Sequence, residues 1–541
     1  MSPDRTVIHV LFFADKPGQP VVLPLTDDYE VAFEKTSPIT DQPSYCLQIA
    51  RRSTPAVSAE LSVASFTTLY GENGSGKTAM LLELCEGLVN WSNDSNISVL
   101  WEDRTGLHLA KGTSLQGVEL QAGEVMKELN RSAMPDFFTA FYTTSPFERA
   151  RLNRLKARGV KNLSTQAWQA RQSDPIAAFS AYPYLKGRAD FVSKTQVNIT
   201  VKPISLVEAL RTYGRRGTRT YSDLQPELKF YMKELDRSAS LATKFILSFT
   251  LLRAADRFYE HQRHELIDAL VTMIRENKPW LDDHLTSNLE QLNLLSNDPL
   301  LMELLFEAQQ ALEVVAKLFD GLRQWNRRAS LSYLNRQIGR QIRRHEGLLS
   351  EVAALGLLEL SFEALSCGQA SMMSLYCSVA KAIGEFELQS ETSSLVLCLD
   401  EAELFMHPKW QSLYVHDLLE FIQQFASVAK RTHLFISTHS LLVVADTPAN
   451  RLFDLDCKRL DNAFGYTAKQ TLTKVFKVDS FTGSCNAQRL SELSRLLNRG
   501  RLDSQQMNRA LSITKTLASE TLQSHVMDQL LVLGMKSDAQ V

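Results

Sequence analysis

The sequence predicts an α/β fold built on a parallel sheet, interrupted by a mainly helical insertion and closed by a helical tail. Three observations predict it. The glycine-rich run Leu-Tyr-Gly-Glu-Asn-Gly-Ser-Gly-Lys-Thr at residues 69–78 joins a stretch of strand character (65–70) to one of helical character (79–84). A second apolar run, residues 394–399, ends in Asp400 and Glu401, as a strand buried on both faces of a parallel sheet ends where it meets solvent. These two landmarks stand 323 positions apart, counting from Lys77 to Asp400. Much of the interval has apolar residues at helical spacing: Leu241, Phe245, Phe249 and Leu252, then Leu301, Leu304, Leu305, Ala308, Leu312, Val315 and Leu318. One α/β head needs far fewer residues, so roughly 200 are inserted. The expected organisation is a first head segment (1–147), an insertion (148–355), a second head segment (356–450) and a helical tail (451–541).

The glycine-rich run satisfies G-x-x-x-x-G-K-[ST] at Gly71, Gly76, Lys77 and Thr78. Glycines let successive backbone N–H groups curl around an anion, and the following helix adds its positive end. Gly71, Asn73, Gly74, Ser75, Gly76, Lys77 and Thr78 are therefore candidate nucleotide-binding residues. Lys77 would reach the β- and γ-phosphates, and Thr78 would offer its hydroxyl to Mg²⁺, which makes ATP and Mg²⁺ the expected cofactors. A plain glycine turn before a helix is the alternative, and the flanking strand and helix weigh against it. Asp400 would hold the metal through water, and Glu401 would orient or deprotonate the attacking water.

Two further stretches fit this chemistry. Residues 365–369, Leu-Ser-Cys-Gly-Gln, follow a predicted strand (357–362) and open a predicted helix (370–383). Ser366, Gly368 and Gln369 there form a second anion cradle. One head has no use for two cradles, whereas two facing heads do. Residues 431–440 predict a strand ending in His439, placed to hydrogen-bond a γ-phosphate and sense its loss.

Composition is that of a globular chain, with 44 % hydrophobic and 22 % charged residues. No run reaches transmembrane length and the N-terminus lacks a signal-peptide pattern, so a cytoplasmic location without membrane association is expected. Seven scattered cysteines with no C-x-x-C pair favour reduced thiols over disulfides or a zinc site. The net charge of −2 hides an asymmetry. Residues 149–219, bounded by Arg149 and Arg219, hold 15 Lys and Arg against three acids, a surplus of 12, leaving −14 elsewhere. Trp168, Phe179, Tyr182, Tyr184, Phe191 and Tyr213 are interleaved. Basic side chains with interleaved aromatics are the pattern of nucleic-acid binding, which is the expected role of this stretch; docking on an acidic protein surface and simple solvation are the alternatives.

The four elements, in this order, resemble the ATP-binding-cassette superfamily, closest to its soluble branch with the chromosome-maintenance and RecF-type ATPases. Asn73 and Gly74 within the loop, and Leu-Ser-x-Gly-Gln at 365–369, fit that branch. The resemblance implies an ATPase that forms a homodimer or higher oligomer through its heads. A family glutamine is expected after the strand at 137–142, but Thr143-Thr144-Ser145-Pro146 stands there. Asp-Glu-Ala-Glu-Leu-Phe-Met-His-Pro-Lys-Trp-Gln at 400–411 is similar to a D-E-P-E-x-x-x-H-P-x-W-Q run of antiphage ATPases, with Ala402 in place of Pro. Residues 464–476 resemble the C-terminal part of the PtuA ATPases of Septu and retron systems. This implies an HNH nuclease partner of the PtuB kind and, in retron versions, a reverse transcriptase with its RNA-linked DNA. The alternatives are a repair or recombination ATPase acting directly on DNA, and a scaffold that binds ATP without turning it over. Asp454-Leu455-Asp456 invites comparison with Toprim nuclease acids. That fold needs an earlier glutamate strand and more βα units than the tail provides, so no nuclease site is expected.

Overall fold

The computed structural model describes residues 6–16, 19–36, 44–52, 62–120, 126–128, 135–144, 159–164, 175–185, 190–201, 205–216, 226–258, 260–278, 281–286, 295–319, 326–363, 365–389, 394–477, 484–499 and 501–538. They form two compact units, Met1–Gly465 and Tyr466–Val541.

The first unit is organised by a seven-stranded sheet. Its order is Lys161–Asn162, Phe137–Thr143, Ser394–Asp400, Thr432–Ser437, Ser65–Tyr70, Leu452–Asp454 and Arg459–Asp461. All neighbours pair in parallel except the last two strands. Its inner strands alternate between two apolar cores rather than between core and water. Phe137, Phe141, Val396, Cys398 and Phe435 enter one core. Phe138, Ala140, Tyr142, Leu395, Leu397, Leu399, Leu434 and Ile436 enter the other. Burial on both faces is why these strands read as unbroken apolar runs.

The first core holds the helix Lys77–Val89 and one face of a mostly antiparallel sheet that includes Val7–Lys16 and Ile97–Asp103. The opposite core holds the helix Cys367–Leu388 and the helices of the expected insertion. Leu241–Arg257 is capped by Ser240, whose side chain accepts from Thr243 N. Pro299–Lys317 is capped by Asp298, with Pro299 in its first turn. Phe245, Phe249 and Leu252 are buried, and only Leu241 of that stripe is exposed. The second stripe is buried throughout. Insertion and head thus share one continuous core.

Three local features lie outside the sequence reading. The strand Leu358–Glu363 lies outside the central sheet, pairing with Gln196–Val201, which also pairs with Asn326–Ser330, in a separate antiparallel sheet. Three described strands, Lys161–Asn162, Gln196–Val201 and Asn326–Ser330, fall within the insertion that was expected to be mainly helical. Leu452–Asp454 and Arg459–Asp461 extend the central sheet past residue 450, where a helical tail was expected. They are three residues each, too short to carry a periodicity. The second unit holds the helices Ser484–Leu497, Ser504–Lys515 and Glu520–Asp538 around a small core of its own that includes Leu493, Leu496, Ile513 and Leu530. Among the described residues no helix is long and apolar enough to cross a membrane.

Core continuity has a measurable consequence. Phe249→Ala should cost about 3–5 kcal/mol in urea unfolding and lower the stability of the first unit in one transition. A separate early loss of helix signal would show the insertion to be autonomous.

Candidate nucleotide site

The loop after the strand Ser65–Tyr70 has the backbone its glycines permit. Gly74 and Gly76 stand at φ 88° and 94°, where a side chain is disfavoured. At Gly71 a Cβ would lie 2.7 Å from Ser75 Oγ. Lys77 is 5 % exposed, and its Nζ donates to the carbonyls of Gly71 (3.0 Å) and Glu72 (3.1 Å). Burial lowers the Lys77 pKa, while Glu401, Asp400 and Asp456 oppose that shift. Asp456 also secures the start of the loop, because its Oδ2 accepts from Glu72 N at 2.8 Å. Asp454 Oδ1 accepts from the backbone N–H groups of Asp456 (2.9 Å) and Cys457 (3.0 Å). The Asp-Leu-Asp run thus serves the turn beside the phosphate loop.

Asp400 is the hub. It is 1 % exposed and stands in register with Thr143 on one neighbouring strand and Ser437 on the other. Three hydroxyls donate to its carboxylate: Ser437 to Oδ1 (2.5 Å), Thr143 to Oδ2 (3.0 Å), and Thr78 to both oxygens (3.0 Å each). Burial raises its pKa; the three hydroxyls pull it down, and the charge of Glu401 adds to the rise. The Thr78 hydroxyl and the Asp400 carboxylate are hard oxygen ligands held in contact, and the loop in front of them is a phosphate cradle. The residues therefore fit a magnesium nucleotide. Thr143 was not singled out in the sequence. It occupies the strand end where the family glutamine was expected to follow, and Thr144 Oγ1 next to it donates to Glu401 O at 2.8 Å.

Glu401 turns out of the sheet at φ 48°, an uncommon conformation for a residue other than glycine. Its N–H is held by Ser437 O at 3.1 Å. That turn brings Glu401 Oε1 to 3.4 Å from His439 Nε2. Burial and the Lys77 charge push the His439 pKa down, with Asp400 opposing. The contact is therefore that of a neutral imidazole near pH 7 rather than an ion pair. His439 lies two residues beyond the strand Thr432–Ser437.

Behind this pair lies Glu403, 2 % exposed, which accepts the Thr438 hydroxyl at Oε1 and has no hydrogen-bond partner at Oε2. Burial pushes its pKa up to about 7, with the Thr438 hydrogen bond opposing and the charges of Glu401 and Asp400 adding to the rise. Gln411 ties the same turn to the switch segment. Its Nε2 donates to Glu403 O (3.2 Å) and its Oε1 accepts from Ser440 Oγ (2.8 Å).

Ser366 and Gln369 form a reciprocal capping box at the start of Cys367–Leu388, with Gly368 between them, Gln369 N donating to Ser366 Oγ (3.3 Å) and Ser366 N to Gln369 Oε1 (2.9 Å). Among the described residues no hydrogen bond or ion pair joins them to Lys77, Thr78 or Asp400. A Cβ on Gly368 would lie 2.8 Å from Phe405 O and 3.4 Å from the Trp410 ring. Leu404 and Phe405, on that same turn, are exposed.

In the basic stretch, Arg149, Arg151, Arg154, Lys156, Arg158, Trp168, Arg171, Lys186, Arg188, Lys202 and Arg219 lie outside the described residues. The described aromatics are not stacking platforms. Phe179, Tyr182 and Tyr213 are buried in the core, and Tyr184 and Phe191 pack against it. Tyr184 faces Phe425, and Phe191 faces Trp410.

A protein-family profile described as "AAA domain, putative AbiEii toxin, Type IV TA system" matches residues 219–445. The matched segment takes in Ser366, Gly368, Gln369, Asp400, Glu401 and His439, and also much of the expected insertion. It is less than half of the chain and excludes the loop at 71–78. The match supports a P-loop ATPase, the class that the loop and the acidic strand end also describe. No curated protein matches the chain.

Two outcomes test this geometry. Thr143→Val removes one hydroxyl from Asp400, so the acid limb of the ATPase pH profile should move to higher pH, and Thr143→Ser should restore it. Glu403 binds its proton more tightly in the folded than in the unfolded chain. Its contribution is full at low pH and is lost as pH rises from about 4.5 through 7. In the absence of nucleotide, wild type should lose stability relative to Glu403→Gln between pH 5 and 8, by roughly 3 kcal/mol at most. Parallel stability curves would refute the shift.

Proposed function

We propose that the protein is an ATPase that assembles through paired heads and controls a partner effector nuclease in antiphage defence. The carrying observation is the Asp400 carboxylate under three hydroxyls, with Glu401 and His439 3.4 Å apart on the adjoining turns. Backbone N–H groups of residues 73–78 and the Lys77 ammonium would bind the triphosphate, and Thr78 and Asp400 would hold Mg²⁺. The metal supplies charge neutralisation on the phosphates. Glu401 would orient the attacking water and take its proton, and His439 would report the state of the γ-phosphate through its contact with Glu401.

The second cradle supports pairing of heads. Ser366, Gly368 and Gln369 would complete the nucleotide site of a facing copy, and exposed Leu404 and Phe405 beside Gly368 offer apolar surface for that contact. The defence reading rests on the runs at 400–411 and 464–476, which resemble PtuA, and is in keeping with the matched family's description as a putative toxin of a type IV toxin–antitoxin system. On this reading the partner is an HNH nuclease of the PtuB kind. A retron reverse transcriptase with RNA-linked DNA is a further candidate, and the basic stretch at 149–219 would contact nucleic acid.

Glu401→Gln should reduce ATP turnover at least 100-fold while retaining bound ATP and raising the assembled fraction in sedimentation. Equal turnover in wild type and variant would remove Glu401 from the reaction. Co-purification from the native host, read by mass spectrometry, should recover a nuclease. DNA-stimulated turnover by the isolated protein would point instead to an ATPase acting directly on DNA.

A further inference from the structure

The second unit contains a cavity of about 600 Å³ that belongs to none of the chemistry above. It lies on the helices Ser484–Leu497 and Ser504–Lys515. Its lining includes Gln488, Arg489, Glu492, Arg495, Arg499 and Arg509. Four guanidinium groups thus face one carboxylate.

The single acid is already committed. Arg509 forks Glu492 across the two helices, with Nε to Oε1 at 3.0 Å and Nη2 to Oε2 at 3.1 Å. This clamp holds the two walls together and neutralises one charge. Arg489, Arg495 and Arg499 are left as a surplus of three. Arg495 Nε reaches the Ser491 carbonyl at 3.4 Å, which leaves its two terminal nitrogens for another acceptor. Apolar residues of the same helices, among them Leu493, Leu496 and Ile513, supply the small core of this unit. The arginines are exposed, so core packing does not account for them.

Spacing and chemistry narrow the ligand. Arg489 and Arg495 stand six residues apart on the helix, about 9 Å of rise, and Arg499 follows in the turn just past its end, a span comparable with a few phosphates along one nucleic-acid strand. Planar guanidinium forks suit phosphate oxygens. The lining has no aromatic ring to stack a base, and its one apolar residue is Leu496. We propose that this cleft is a nucleic-acid backbone site, taking a phosphodiester strand through Arg489, Arg495 and Arg499 without reading its sequence. It belongs to the second unit, whereas the basic stretch at 149–219 and the nucleotide site belong to the first.

The test uses the full chain and a labelled 20-nucleotide single-stranded DNA, with a duplex of equal length and inorganic polyphosphate as competitors. A triple variant, Arg489→Gln, Arg495→Gln and Arg499→Gln, keeps the Glu492–Arg509 clamp. It should weaken DNA binding at least tenfold at low salt. It should also flatten the slope of log affinity against log salt, by about 0.9 on a duplex and about 0.7 on a single strand for each phosphate that the variant no longer neutralises. The same three positions changed to Lys should keep most of the slope and recover part of the affinity. Basal ATP turnover should be unchanged in both, so failure here is distinct from failure at Glu401. Whichever of strand and duplex competes better identifies the preferred form. Unchanged affinity and slope in the triple glutamine variant would overturn the proposal.

Discussion

Everything about the candidate site depends on keeping one carboxylate charged while it is almost wholly out of water. Asp400 sits at the end of a strand buried on both faces, where desolvation raises its pKa and favours the neutral acid. The opposing contribution is three hydroxyl donors from three separate segments: the helix after the phosphate loop, the strand Phe137–Thr143 and the strand Thr432–Ser437. Two of the donors, Thr143 and Ser437, are placed by sheet register and Thr78 by the helix after the loop, so sheet and loop together set the charge. Loss of register on either side would remove a donor before it disturbed the core.

The same economy governs the turns around it. Glu401 leaves the strand in a left-handed conformation that its hydrogen bonds to Ser437 hold in place, and this turn delivers its side chain to His439. Glu403 then anchors the switch segment through Thr438 from below. A buried acid with a pKa near 7 and one unpartnered oxygen is a costly anchor, and its value lies in coupling the acidic turn to the histidine turn.

Legibility divided along sequence separation. The phosphate loop was readable because its requirements are local: glycines at fixed offsets, then Lys77 and Thr78, between a strand and a helix. The acidic strand was readable from its apolar run. Thr143 and Asp456 were not, because each acts on a residue hundreds of positions away, Asp400 and Glu72 respectively. Composition also misled within the basic stretch. Interleaved aromatics read as available rings, yet Phe179, Tyr182 and Tyr213 belong to the core, and only packing distinguishes the two cases. The helical stripes at 241–252 and 301–318 were legible as helices, but not as part of the same core as the sheet.

The order of strands in the central sheet bears on how the chain is made. Ser65–Tyr70 lies between Thr432–Ser437 and Leu452–Asp454, so both its neighbours are encoded more than 360 residues later. At ordinary elongation rates the ribosome needs between roughly 20 and 70 s to supply the first of them. Through that interval an apolar strand with two open edges is already outside the tunnel, the circumstance in which mispairing and aggregation compete with folding. The mostly antiparallel sheet containing Val7–Lys16 and Ile97–Asp103 is complete far earlier, and its partnership with the helix Lys77–Val89 shields one face of the waiting segment. Biosynthesis of this protein is thus paced by the arrival of its last third.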